Sequence, residues 1–295
     1  MNPDRIFRES RDDALAKQFE ATEYKTFVAM PFADTFSYRS EEIYRGVIQA
    51  AANRATRKRG DSLKPFAAPR RADDLDGGAV VITEEIVMHI LESHIYLADL
   101  TLANHGVLLE TGIAMGYKPN EQIILITQGQ LSDLHFDLRN NRVMSYNMPP
   151  EKVVDQLADA LIGAATAFNE RCERQIKWVS KSLTSDAMRL LNFCGQNGSL
   201  HRGRVVEVFR EKERADVLEM RYEHAMREVL SRRLMWTDYR VRVEPGVDAY
   251  AVQATELGWA FIEYMWPDLK GNREKFRGKE PKPSPEAPPN DEATG

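Results

Sequence analysis

Residues 98–116 read ADLTLANHGVLLETGIAMG, and how this stretch is read decides the fold. It continues the run HIYLADLT (residues 94–101), whose apolar, β-favouring side chains describe a buried strand with Asp99 near its carboxyl end. Asn104, His105 and Gly106 then make a loop. From Leu108 to Met115 the apolar spacing becomes helical, with Glu110 at the opening of that helix. A buried strand that delivers a carboxylate and passes at once into a helix is half of a β-α-β unit, which builds parallel sheets.

Working outward, YKTFVAMPF (Tyr24 to Phe32) is a second apolar strand pattern, stopped by a proline. Helical spacing follows, with Ile43, Val47, Ile48 and Ala51 on one face, closed by the basic stretch Arg54 to Arg59 and by Gly60. A short strand is expected around Leu63 to Ala67, then a charged loop with Arg70, Arg71, Asp73 and Asp74. Glu84 to Ser93 reads as a helix with Ile86, Ile90 and Leu91 as its stripe. Beyond the central stretch, EQIILITQ (residues 121–128) is a further strand, and VMSYN (Val143 to Asn147) adds one more. Residues 151–183 form a long amphipathic helix through Val153, Leu157, Leu161, Ala164 and Phe168. Strands that are apolar throughout and alternate with helices predict an α/β fold. The expected form is a flavodoxin- or Rossmann-like parallel sheet with helices on both faces. Ligands of such sheets bind beyond the carboxyl ends of the strands. That rule singles out Pro31–Asp34, Asp99–His105 and the helix start at Glu110.

The second half reads differently. Residues 185–195, 202–210 and 216–233 have helical patterns, the last with Leu218, Tyr222, Ala225, Met226 and Val229 on one face. Two β-rich runs then flank Pro245-Gly246, a hairpin signal, and ATELGWAFIEYM returns to helix after a T-x-x-G start. Helices, a hairpin wing and a closing helix predict a C-terminal winged helix-turn-helix domain. The expected organisation is a polar leader over 1–23, the α/β domain over 24–150, a connecting helix over 151–183, the winged helix over 184–269 and a disordered tail over 270–295, rich in Pro, Glu and Lys. Trp236, Tyr239, Tyr250, Trp259, Phe261 and Tyr264 are expected to form the small core of that second domain.

A length of 295 residues suits two domains, and 43% hydrophobic with 29% charged residues is enough to bury a sizeable core. No window approaches about 18 uninterrupted apolar residues, so no membrane-spanning helix is expected. The charged N-terminal stretch lacks the apolar core of a signal peptide. Two cysteines, Cys172 and Cys194, neither staple a secreted scaffold nor make a zinc site by themselves. A cytoplasmic protein without metal or cofactor is the expectation. The net charge is −5, unevenly spread: residues 170–277 carry 20 Lys and Arg against 17 Asp and Glu, a net of +3. That is mild for a nucleic-acid binder. Arg202, Arg204, Arg210, Arg227, Arg232, Arg233, Arg240 and Arg242 are candidates for phosphate contact, but Glu207, Glu211, Glu219, Glu223 and Glu228 interleave them. Nucleic acid and protein both stay open as partners of the winged helix.

The chemistry is expected at the two carboxylates. Glu110, read as a first-turn residue, is held as an anion by the helix dipole, which favours a nucleophile over a general acid. Asp99 at the neighbouring strand end is placed to hydrogen-bond a ligand or supply a proton. Two carboxylates about one carbon are the apparatus of glycosyl transfer. The same residues also read as a turn cap and a dipole partner, and the spacing alone leaves both readings open.

The stretch from TFVAMPF to IILIT resembles the nucleoside 2-deoxyribosyltransferase-like superfamily. Pro31-Phe32, Asp99-Leu100-Thr101, Asn104, Val107, Glu110, Gly112 and Ala114 stand where that pattern has its conspicuous residues, over roughly residues 24–147. The resemblance implies that Glu110 is the nucleophile that attacks the anomeric carbon and expels the base. It puts Asp99 in an active-site carboxylate position and takes a further carboxylate, Glu85 or else Glu84, from the preceding helix. It also implies a substrate pocket with Met30, Pro31, Phe32 and Tyr38 from the first strand turn, and Asn104, His105 and Gly112 from the central segment. The implied substrate is a nucleoside, a nucleotide or NAD, and the implied assembly a homo-oligomer. Two positions depart from the pattern: Thr111 replaces a leucine beside the nucleophile, and His105 replaces the commoner Pro or Asn. An α/β domain of this kind followed by a winged helix is similar to the toxic effectors of retron anti-phage systems. That similarity implies a defence role and a controlling partner, such as a reverse transcriptase with its DNA. A TIR-like nucleotide-sensing module and a nucleic-acid-binding regulator without catalysis are the alternative expectations.

Overall fold

The structure, a computed structural model, describes residues 14, 17–19, 21–35, 37–72, 84–130, 143–146, 150–200, 208–209, 214–242 and 250–276. Asp73 and Asp74, the turn at Pro245-Gly246, most of the helix expected over 202–210, and the expected tail beyond residue 276 lie outside them. The chain divides into two compact units, Met1–Glu173 and Arg174–Gly295.

Among the described residues, five strands build the first unit: β1 (Thr26–Ala29), β2 (Arg70–Arg71), β3 (Ile95–Asp99), β4 (Ile123–Thr127) and β5 (Val143–Ser145). They form one sheet in the order β2-β1-β3-β4-β5, with every neighbouring pair parallel. The α/β expectation therefore holds, and the order is that of doubly wound sheets, with its switch point between β1 and β3. The helices are α1 (Ser40–Ile43), continued through a π-helical stretch (Tyr44–Gln49) into α2 (Ala50–Lys58), then α3 (Glu84–Glu92), α4 (His105–Tyr117) and α5 (Pro150–Ser182).

The two-residue period of the strands sorts side chains onto two faces. Phe27, Ala29, Tyr96, Ala98 and Leu125 pack with Ile86 and Ile90 of α3 and with Val107 and Ala114 of α4. Val28, Ile95, Leu97, Ile124 and Ile126 pack with Ile43, Ile48 and Ala51, and with Leu157, Leu161 and Phe168 of α5. Covering both faces is what demands strands without a polar side.

One strand differs from expectation. Leu63 to Ala67 contributes only a bridge between Phe66 and Tyr24, and the named strand is Arg70–Arg71, expected as loop. Among the described residues this two-residue strand has a neighbour on one side only, an edge position that charged side chains suit, and the apolar signal is missing. The polar leader is also less detached than its composition suggests. Gln18 is buried and donates from Nε2 to the carbonyls of Leu91 and Ser93, at 2.6 and 2.8 Å. Buried His94 accepts the Lys25 N–H at Nδ1 (2.9 Å), so Nε2 carries the proton and donates to Gln18 O (2.8 Å). Burial holds its pKa down at about 3.

The second unit contains the last part of α5, α6 (Ser185–Asn197), α7 (Ala215–Ser231), β6 (Met235–Arg242), β7 (Tyr250–Ala254), α8 (Glu256–Met265) and α9 (Asn272–Phe276). The hairpin strands are antiparallel, and Leu200 bridges Val252 on the outer side of β7 with both backbone hydrogen bonds, 2.8 and 2.7 Å. Leu190, Leu191, Cys194, Tyr222, Val229, Phe261 and Ile262 belong to its core. Thr255 caps α8 by accepting the Gly258 N–H at 2.9 Å. A Cβ on Gly258 would stand 1.9 Å from the Leu234 carbonyl oxygen, so helix and hairpin approach closely enough to require glycine. Trp259 and Phe261 are core as expected, whereas Trp236 and Tyr264 are exposed. Trp236 follows buried Met235 on the same strand, and alternation turns it to solvent.

Candidate active site

Asp99 ends β3 and is fully buried. Its Oδ1 accepts the Thr101 N–H (3.0 Å), an Asx turn that bends the chain as it leaves the strand. The Thr101 hydroxyl donates to the same oxygen at 2.5 Å. On Oδ2 two phenols converge, Tyr38 O–H at 3.0 Å and Tyr146 O–H at 2.7 Å. Thr101 Oγ1 in turn accepts the Gln128 N–H (2.9 Å) just beyond β4. One carboxylate therefore ties together the chain beyond β1, β3, β4 and β5. Burial pushes the Asp99 carboxyl above the usual carboxylate range, and the hydrogen bonds from Thr101, Tyr146 and Tyr38 hold it down. Both phenols are pushed up, first by burial and next by the Asp99 charge.

After the Asx turn the backbone is strained. Leu102 and Ala103 have φ of 65° and 45°, the left-handed region that non-glycine residues rarely adopt. Asn104 then caps α4, its Oδ1 accepting the N–H groups of Gly106 (2.9 Å) and Val107 (3.2 Å). The β1–β3 register, Ala29 opposite Ala98, brings the loop after β1 beside this one. Both loops carry a half-exposed apolar side chain, Phe32 and Leu102.

Glu110 is not where the sequence reading put it. With Asn104 as cap and His105 as the first helical residue, Glu110 lies in the second turn of α4, beyond reach of the free amides of the first. It is 8% exposed, on the helix face that carries Val107 and Ala114, and no hydrogen bond or ion pair reaches it among the described residues. Desolvation raises its pKa from 4.5 to about 7. The expectation of a dipole-stabilised anion is thus reversed: this carboxyl titrates near neutrality. Its neighbour Thr111 lies within 3.1 Å of the Tyr96 hydroxyl, and Tyr96 belongs to the core between the sheet and α3–α4.

Asp99 and Glu110 do not share a face of the sheet. The Asp99 carboxylate meets Tyr38 and Tyr146, both in the core beneath α1, α2 and α5, whereas α4 packs on the other side. No hydrogen bond joins the two carboxyls. Of the other expected residues, Met30 and Pro31 are buried at the end of β1, Tyr38 is bound to Asp99, and Asn104 serves as cap. Glu85, His105 and Gly112 are exposed, and nothing stands within 4 Å of where a Cβ on Gly112 would be. The side chain of Glu84 is outside the described residues.

Tyr146 and Thr101 were missed as site residues. Thr101 was in view as part of D-L-T, and Tyr146 follows the weakest strand signal of the chain, so only pairing with β4 places it at the carboxyl edge. Arg71 also belongs near this corner: it pairs with Glu41 at 3.1 Å and lies 4.1 Å over the Tyr44 ring. Among the described residues no three His, Cys, Asp or Glu side chains gather to hold a metal ion. Nor is any described helix long and apolar enough to cross a membrane. An open hollow of about 660 Å³ lined by Arg54, Arg57, Lys58 and Asp155 lies at the end of α2, and ion pairs of Arg54 with Asp155 and Lys58 with Asp159 offset its charge. No family model, no curated protein and no solved structure matches the chain.

Proposed function

We propose that the first unit cleaves the N-glycosidic bond of a nucleoside, a nucleotide or NAD, with Glu110 as the reacting carboxylate. The observation that carries this reading is Glu110 itself: a buried carboxyl without a partner among the described residues, with a pKa of about 7, on the helix that leads away from the switch point. Perturbed carboxyls of this kind concentrate where chemistry is done, because burying one without a partner costs stability. In the proposed reaction the ionised Glu110 attacks C1′ and forms a glycosyl ester as the C1′–N bond breaks. A nucleobase leaves with the electron pair of that bond and takes a proton from solvent water, whereas nicotinamide leaves NAD neutral. Water, losing a proton to solvent, or a second base then attacks C1′ and releases the Glu110 carboxylate. Asp99 acts as a positioning group that keeps Tyr38, Tyr146 and Thr101 in place. Phe32 and Leu102 offer apolar contact to a base. Glu85, exposed on α3, has no part in this scheme.

The second unit is read as a winged helix, supported by the order helix, Leu200 bridge, helix, hairpin, helix. A glycosidase joined to such a module fits a toxic effector of bacterial anti-phage defence, kept in check by a nucleic-acid or nucleoprotein partner. Base release from a panel of nucleosides, deoxynucleotides and NAD, by wild type and by Glu110→Gln, tests the proposal. Release by wild type alone, rising with pH through about 7, fits a nucleophile. A rate that falls through about 7 instead makes Glu110 a general acid. Equal release from both proteins removes Glu110 from the mechanism.

A second reading, a nucleotide-sensing module without catalysis, is favoured by one observation: the two carboxylates lie on opposite faces of the sheet. It predicts that Glu110→Gln binds nucleotide and retains the biological effect.

A further inference from the structure

We infer that the solvent face of the last turns of α5 binds single-stranded nucleic acid, with Trp178 as a stacking platform and Lys177 and Lys181 as phosphate contacts. Trp178 is 68% exposed, more than any other large hydrophobic residue described. It is not a misplaced core residue, because the opposite side of the same turns, through Ile176 and Val179, already packs into the second core. Arg174, Lys177, Trp178 and Lys181 follow the spacing that puts side chains on one face of a helix, and all four are exposed. From Arg174 to Ser182 the helix carries three basic residues and no acidic one, in a chain whose net charge is −5. A bare indole ring set among cations is the combination that holds unpaired bases and tracks their backbone.

Another helix of this unit, α7, carries the opposite chemistry on its exposed face. The solvent side of α7 presents Asp216, Glu219 and Glu223 against Arg227, and Arg227 is already paired with Glu223 at 3.6 Å. An anionic membrane surface fits α5 less well, because an interfacial helix needs a broad apolar face and Trp178 is the one apolar residue among these four. A duplex hides the base faces that a stacking indole needs. The inference is independent of Glu110 and of catalysis.

Fluorescence anisotropy of a labelled oligothymidylate, titrated with the full chain over a range of salt concentrations, tests it. The oligonucleotide should bind more tightly than its duplex. The logarithm of affinity should fall against that of salt with a slope of about −1.4, as two phosphate contacts to a single strand give. Trp178→Ala should weaken binding roughly tenfold or more, and Trp178→Phe much less. Lys177→Gln with Lys181→Gln should remove most of the salt dependence, about 0.7 of slope for each lysine. These residues are exposed, so circular dichroism and melting temperature should not change. No binding by wild type overturns the inference, as do full affinity in Trp178→Ala, an unchanged slope in the lysine variant or preference for duplex. Capture of phosphatidylserine vesicles or polyglutamate in place of the oligonucleotide overturns it equally.

Discussion

Replacing Glu110 by Gln should make the protein more stable, and increasingly so as pH rises. In the unfolded chain the Glu110 carboxyl titrates near its ordinary 4.5, and in the folded protein at about 7, because burial penalises the charge and no partner among the described residues offsets it. Below pH 4.5 both states are protonated and the group contributes nothing to the pH dependence. Between 4.5 and 7 the unfolded chain has released its proton while the folded protein keeps it, so stability falls by about 1.4 kcal/mol per pH unit. Above 7 the cost is constant, and the interval amounts to about 3 kcal/mol. Glutamine has nearly the same shape and no charge to desolvate, so this loss is absent in the variant. Other titrating groups are common to both proteins and cancel in the difference. Lys118 is one, a buried lysine held down to about 7, whose contribution runs the opposite way. Calorimetric melts of the full chain at pH 5 and at pH 8.5 measure the effect on the transition of the first unit. At the higher pH the variant should melt roughly 6–12 °C above wild type, and the gap should shrink at the lower. A gap that does not change with pH, or a variant less stable at pH 8.5, would refute the reasoning, since either means that the folded protein pairs the Glu110 anion.

The Asp99 clasp predicts that Tyr146→Phe and Tyr38→Phe each destabilise the first unit by about 1.5–3 kcal/mol, the usual worth of a hydrogen bond to a charged acceptor. Both phenols use Oδ2, so the double variant should depart from the sum of the singles, and urea unfolding of the four proteins completes the cycle. Strict additivity would mean that the phenols do not act on one carboxylate. In the second unit, Gly258→Ala drives a methyl group into the Leu234 carbonyl and should cost more than about 3 kcal/mol, read as early loss of that unit's thermal transition. A variant that melts like wild type would show that helix and hairpin do not approach so closely.

Much of the fold was legible along the chain because its signals are local. The apolar runs at β1, β3 and β4 are continuous, since a strand covered on both faces has no polar side to interrupt it. The stripe on α5 and the T-x-x-G start of α8 depend on residues three or four apart. Local signals failed where a neighbour supplies the reason for an element. Arg70–Arg71 is a strand only because β1 pairs with it, and Trp236 faces solvent only because Met235 faces the core.

The sequence by itself determined the class of the first unit, the strand end that carries Asp99 and the helix that carries Glu110, because period and composition act over a few residues. Only the tertiary structure decided what those carboxylates meet. Tyr38, Thr101 and Tyr146 lie 61, 2 and 47 residues from Asp99, and parallel pairing of four strands is what gathers them on one carboxylate. The same packing sets the cap at Asn104 and thereby moves Glu110 out of the first turn. It also buries that residue to 8% exposure. A carboxyl that the sequence suggests is an anion becomes one that titrates near 7, because desolvation is a property of the assembled core and not of the helix that carries the group.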